Sequence, residues 1–203
     1  MNDHQRETRE GLLVVDVLGI DVLWIAVGFV VLVLLVFLYY YNKIVLASNR
    51  IEGAFSQIDV QLKKRADLVP NLVETVKGYA KHEKELFADV TKARSQMVSG
   101  GNMASRLKAN DMLTGALKSI FAVAEAYPQL RANEQFKLLQ EQLEGIENKI
   151  AYSRQFYNDS VLDYNNAITL MPGAFFAGIF GRSKQKPFLE ASAAERANVK
   201  VKF

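Results

Sequence analysis

Residues 22–41, VLWIAVGFVVLVLLVFLYYY, constrain this chain more than any other stretch, because they carry no charge. About 20 residues at a helical rise of 1.5 Å cross about 30 Å of hydrocarbon. In lipid every backbone amide must be paired within its own segment, so the stretch predicts one membrane-spanning helix. Asp16 and Asp21 set its start. Trp24 at one end and Tyr39, Tyr40 and Tyr41 at the other supply rings suited to headgroup level. A cleaved signal peptide, cut near VLAS at 45–48, fits less well: the apolar run is too long and its aromatic flank is wrong.

The rest of the 203-residue chain is more polar and reads as helical. After Asn42, apolar residues recur at steps of three and four through Ile51, Phe55, Ile58, Leu62, Ala66, Val69, Val73, Val76, Ala80, Phe87, Val90, Ala93 and Met97. This is the period of a helix packed along one seam. Ser99-Gly100-Gly101-Asn102 marks a turn. A second helix carries Leu107, Leu113, Ala116, Ile120, Val123 and Tyr127, and stops at Pro128. Asn133 is the expected N-cap of a third, with Glu134 in its first turn and a seam running from Phe136 to Ile168. Pro172 and Gly173 close it. Strand-like alternation is confined to Val199–Phe203.

The expected fold is therefore all-α: a single N-terminal transmembrane helix followed by an antiparallel bundle of long helices. The expected division is an N-terminal tail (1–21), a transmembrane helix (22–41), a helical bundle (42–171) and a C-terminal tail (172–203) that packs on the bundle or on a partner. Arg6 and Arg9 flank one end of the span. Lys43, Arg50, Lys63, Lys64 and Arg65 follow the other, a bias that favours a cytoplasmic bundle.

Pro70 interrupts this rhythm. Inside a helix it removes one backbone donor and frees the carbonyl near Ala66. The apolar pattern continues on both sides, so the expectation is a kinked helix. Lys64, Asp67, Asn71 and Thr75 form a polar stripe beside the seam; Glu147, Arg154, Asn158 and Asn165 form another on the third helix. Two readings stand open. Either Arg65 or Asp67 pairs with the Glu147/Arg154 group across the helices, or both faces are solvated.

The stretches YNKIVLASNRIEGAFSQIDVQLKKR and RADLVPNLVETVKGYAKHE (65–83) closely resemble the LemA family hallmark. So does 126–168, with its Tyr157-Asn158 and Tyr164-Asn165 dipeptides, and so do the aromatic-glycine segment FFAGIFG and a final Val201-x-Phe203. The resemblance covers nearly everything from Tyr41 onward and is poorest over 99–111. It implies a single-pass protein of a bacterial inner (plasma) membrane, with a short outer N-terminus and a helical bundle inside. It implies no established activity and no cofactor. A relative in magnetosome formation implies roles in organising membrane assemblies, and genome neighbours that include membrane metallopeptidases imply an envelope-stress connection. The tail MNDHQRETREGLLVVDVLGID is longer than the resemblance implies.

Composition narrows the chemistry further. The net charge is +3 with acids and bases interspersed, which lacks the basic stripe that nucleic acid requires. The chain has no cysteine, which excludes thiolate nucleophiles, disulfides and iron–sulfur sites. Its two histidines, His4 and His82, form no Glu-x-x-His pair of the di-metal bundles. Gly100-Gly101 lacks the Lys-Ser/Thr of a phosphate loop. Glu83, Glu85 and Asp89 read as a solvated face rather than a cation site. Phe175, Phe176, Ile179 and Phe180 form an apolar patch that folds back on the bundle or meets lipid or a partner, folding back being the commoner outcome. An Ala-rich stretch, 189–197, reads as a short helix.

The functional expectation is a non-enzymatic, membrane-anchored scaffold or adaptor. Its partners are the lipid bilayer and membrane-associated proteins, with self-association compatible. The alternative is a sensor subunit that transmits a conformational change, with Pro70 as hinge. The residues expected to carry structure or interaction are Arg65, Asp67, Pro70, Asn71, Glu147, Arg154, Asn158, Asn165, Phe175, Phe176 and Phe180.

Overall fold

A computed structural model describes residues 3–99 and 101–190, with side chains from residue 23. All regular structure among them is helical: α1 (Asp3–Lys77), α2 (Lys84–Ser99), α3 (Met103–Glu125), α4 (Pro128–Ala132), α5 (Glu134–Thr169) and α6 (Gly173–Ile179). Val199–Phe203 and most of the Ala-rich stretch lie outside the described residues; Leu189 and Glu190, at its start, are not helical.

The chain divides into two compact units, residues 1–46 with 165–185 and residues 47–164 with 186–203. In the first, α1 is long and apolar enough to cross a membrane. It reaches a mean hydropathy of 2.7 over an 18-residue window, none of it buried. Leu23 to Val36 are exposed all round, as a helix built for lipid requires. The helix begins upstream of the apolar run, at Asp3, so the segment before residue 22 is helical.

The second unit is the bundle. The C-terminal part of α1 buries Ala47, Ile51, Ala54, Ile58, Leu62, Ala66, Val69, Leu72, Val73 and Val76. Phe55, expected in this seam, is 43% exposed. Ala54 takes the inward place, and Phe55 lies about 100° further round the helix. α2 adds Phe87, Val90, Ala93 and Met97; α3 adds Leu107, Leu113, Leu117 and Ile120; α5 adds Phe136, Leu139, Leu143, Ile150, Tyr157 and Val161. Each of the larger aliphatic and Phe side chains contributes about 1.5–3 kcal/mol relative to exposure, and each alanine less.

The long first helix expected to reach Met97 instead ends at Lys77. The amides of Tyr79 and Ala80 both turn back to the Val76 carbonyl, at 3.0 and 2.9 Å. Lys77 in the last turn followed by Gly78 is a C-terminal signature, and the gap from Ala80 to Phe87 in the apolar rhythm marks the same break. Asn102 caps α3 by accepting from the Ser105 amide at 2.8 Å. Asn133 caps α5 as its sequence predicts, accepting from the Phe136 amide at 2.9 Å.

Candidate functional site

The bundle's most unusual residue is Arg65. It is 3% exposed, on the inward face between Leu62 and Val69. Its Nη1 donates to Asn110 Oδ1 at 2.6 Å and stands 3.0 Å from the Thr114 hydroxyl, both on α3. It also pairs with Glu147 of α5. The Thr114 hydroxyl lies 3.1 Å from the other Glu147 oxygen. One guanidinium thus ties three helices. Burial pulls the Arg65 pKa below its ordinary value, and Glu147 and then Asp111 oppose that shift. Its Nε is buried without a hydrogen-bond partner, which adds to the cost of burial.

Asp67 points the other way and is exposed. Residues two apart sit on opposite sides of a helix, so Arg65 and Asp67 cannot both turn inward. Pro70 and Asn71 are exposed too, and the Asn71 carbonyl accepts from the Thr75 hydroxyl at 2.8 Å. The stripe Lys64–Asp67–Asn71 is a solvated face.

The helix continues through Pro70. Its missing amide leaves the Ala66 carbonyl without the usual donor four residues on. Arg94 of α2 fills that place, its Nε donating to the Ala66 carbonyl at 2.8 Å. A second arginine, Arg106 of α3, donates to the Met97 carbonyl at 3.0 Å and pairs with Asp59 of α1. Arg94 and Arg106 thus close a helix break and a helix end.

On α5, Arg154 and Asn158 hold the returning segment 187–190. The Asn158 amide donates to the Leu189 carbonyl at 3.0 Å and accepts from the Leu189 amide at 2.8 Å. Arg154 donates to the Glu190 carbonyl and lies 3.8 Å from Asp111. The Tyr157 hydroxyl reaches the Pro187 carbonyl at 3.4 Å. Burial pushes the Tyr157 pKa above its ordinary value.

In the other unit, Phe176 of α6 and Phe180, its C-cap, pack on α1. Phe176 stacks on Tyr40 with centroids 5.0 Å apart and planes 11° from parallel. Phe180 meets Phe37 and Tyr41 edge-on at 4.9 and 5.2 Å. Gly173 allows the approach: a Cβ there would stand 2.1 Å from the Ala167 carbonyl oxygen and 3.7 Å from the Tyr40 ring. Gly181, at φ +66°, ends α6, with the Arg182 amide returning to Ala177 at 2.9 Å and the Gly181 amide to Gly178 at 3.2 Å. Phe175 is 62% exposed. Asn165 is buried, its carbonyl accepting from the Thr169 hydroxyl at 2.7 Å.

The model of the LemA family matches residues 54–203. This chain belongs to the LemA family. Among its LemA relatives are magnetosome proteins MamQ 1 and MamQ 2 of Paramagnetospirillum magneticum and MamQ of Magnetospirillum gryphiswaldense. Each is 26% identical over an alignment of 181 residues that covers 76% of this chain and 66% of the relative. The chain thus spans just under two thirds of those proteins' length. The LemA match starts at Ala54, so it takes in the α1–α3–α5 arginine centre and α6, while the apolar run lies upstream of it.

Of the residues singled out from sequence, Arg65 and Glu147 meet directly. Arg154 and Asn158 meet the same returning segment, and Phe176 and Phe180 share one aromatic cluster. Phe175 meets that cluster at its edge, its ring 5.4 Å from that of Phe176, while most of it stays exposed; Asp67 and Asn71 join none of these. Asn110, Thr114, Arg94 and Arg106 were not anticipated. Asn110 had a readable signal, a polar residue three positions from both Leu107 and Leu113 on an apolar face, and the structure buries it completely. Among the described residues, no group of three or more acids and histidines is arranged to hold a metal ion.

Proposed function

We propose that this LemA-family protein is a non-enzymatic scaffold or adaptor, anchored in the inner membrane of a bacterium with its bundle on the cytoplasmic side. The observation that carries the reading is the use made of the polar groups in and beside the bundle core. Arg65, Asn110, Thr114 and Glu147 bond to one another across three helices, and Arg94 is committed to a backbone carbonyl. Groups committed in this way fix helix register and are not free to attack, protonate or ligate a substrate. The surplus of Lys and Arg after the span supports the orientation. Kinship with magnetosome proteins supports work on membrane assemblies. The Arg94 bond at Ala66 favours a braced helix at Pro70 over a hinge that transmits motion.

Photo-crosslinking of the full chain from exposed bundle positions in native membranes, followed by identification of captured proteins, tests this. The expected result is capture of membrane or membrane-associated proteins, or of a second copy, unchanged by Pro70→Ala. Failure to capture any would overturn the scaffold. Capture lost in a Pro70→Ala chain that still folds would replace it with the hinge. A reporter fused at Phe203 that works only outside the cytoplasm would overturn the orientation.

A further inference from the structure

α6 has two apolar faces, and the aromatic cluster with α1 accounts for one of them. Gly173, Phe176, Ala177 and Phe180 turn towards α1. Phe175 and Ile179, spaced by four, lie on the opposite side and are 62 and 56% exposed, and Met171, in the turn that leads into α6, is 79% exposed. Leu170 beside them is 62% exposed. In water, a helix this short persists only when packed, and a bare apolar side opposite the packed one has no aqueous use.

Its position within the unit indicates what covers that side. Phe180 touches both Tyr41, in the aromatic belt, and Phe37, one turn further into the apolar run. One turn is about 5 Å along the axis. α6 therefore lies beside the last turn of the apolar segment, at the depth where interfacial helices bury their apolar faces, about 5–10 Å into the headgroup boundary. Leu34, Leu35 and Leu38 of the same stretch of α1 are exposed and apolar as well. The charge agrees. Within this unit, residues 23–46 and 165–185 contain no carboxylate side chain, and their cations are Lys43, Arg182 and Lys184. An acid-free apolar surface bordered by cations matches an anionic lipid leaflet better than a protein surface of mixed charge.

We propose that α6 is a second membrane contact. Met171, Phe175 and Ile179 insert among the acyl chains of an anionic leaflet where α1 leaves the bilayer, with Lys43 and Lys184 at the headgroups. The proposal rests on α1 spanning that bilayer, and the test separates the two. Trp24 is the only tryptophan, so Trp24→Phe gives a silent background. In it, Phe175→Trp reports on α6 and Leu32→Trp on the span. The full-length chains are reconstituted in phosphatidylglycerol/phosphatidylcholine vesicles containing lipids brominated at shallow or deep positions. The Phe175→Trp emission is expected to be blue-shifted and quenched most by shallow bromines; that of Leu32→Trp, most by deep ones. Red-shifted emission from Phe175→Trp with quenched Leu32→Trp would overturn the α6 contact and leave the span standing. Blue-shifted but unquenched emission from Phe175→Trp would assign that side to a protein, a second copy included. Unquenched Leu32→Trp would remove the span and the proposal with it.

Discussion

Replacing Pro70 and Arg94, singly and together, measures how the bundle tolerates a proline inside a helix. A proline in a helix interior costs about 3 kcal/mol through a lost bond and a steric clash. Here the carbonyl it strands, Ala66, is taken by Arg94 Nε at 2.8 Å. Hydrogen bonds to charged groups contribute about 1.5–3 kcal/mol, and a stranded acceptor costs about 1–3 kcal/mol. Arg94 is only half-buried, so Arg94→Ala is expected to cost about 2 kcal/mol in the native background. In a Pro70→Ala background the restored amide reaches the Ala66 carbonyl itself. Arg94→Ala then costs about 0.5–1 kcal/mol, a coupling of about 1–1.5 kcal/mol. At about 2–4 °C per kcal/mol, the native-background loss appears as a fall of about 4–8 °C in Tm. The assay is far-UV circular dichroism of the full chain in lipid nanodiscs, melted and titrated with urea. Additive single and double variants would refute the reasoning, since Arg94 would then not be compensating for the proline.

The arginine centre should respond unequally to its two ends. Glu147→Leu leaves a cation 3% exposed and should cost about 3 kcal/mol; Arg65→Met leaves a carboxylate 34% exposed to water and should cost about 2 kcal/mol, chiefly through Asn110. The Arg65→Met/Glu147→Leu double variant should cost less than the sum, as read by urea midpoints. Gly173→Ala places a methyl 2.1 Å from the Ala167 carbonyl oxygen. It should cost about 1–3 kcal/mol locally and speed tryptic cleavage at Arg182 and Lys184, with the bundle melt unchanged. The folded state holds the Tyr157 proton above the ordinary pKa of 10.0. Its contribution is complete below pH 10 and is lost as pH rises from there through the folded pKa, so Tyr157→Phe should flatten the alkaline fall in stability.

Much of this was legible because the main signals are periodic or long. Twenty uncharged residues leave a chain few options other than a span, and apolar steps of three and four announce a packed seam. The Asn133 cap is local and was readable for that reason. What escaped has a physical pattern. The 78–83 break was masked because the seam resumes in phase at Phe87, although Lys77-Gly78 signalled it. The cross-helix pairs depend on which of two neighbouring charges turns inward. Helix geometry says that Arg65 and Asp67 cannot both do so; only packing decides which one does. Arg94 was beyond reach, because its partner is a backbone carbonyl 28 positions away and carries no residue-type signal. The α6 cluster was half-visible: the phenylalanines stood out, but not that Gly173 and Tyr40 would receive them.

The order in which the chain builds its two units has a practical result. It passes from one to the other at 46/47, returns at 164/165 and leaves again at 185/186. Cutting the first crossing alone therefore does not release a soluble body. The remainder keeps 165–185, now with Phe176 and Phe180 stripped of Phe37, Tyr40 and Tyr41. A truncation begun at Ala47 to aid crystallisation would expose that grease to solvent and clump, unless α6 is excised or rewritten in the same step.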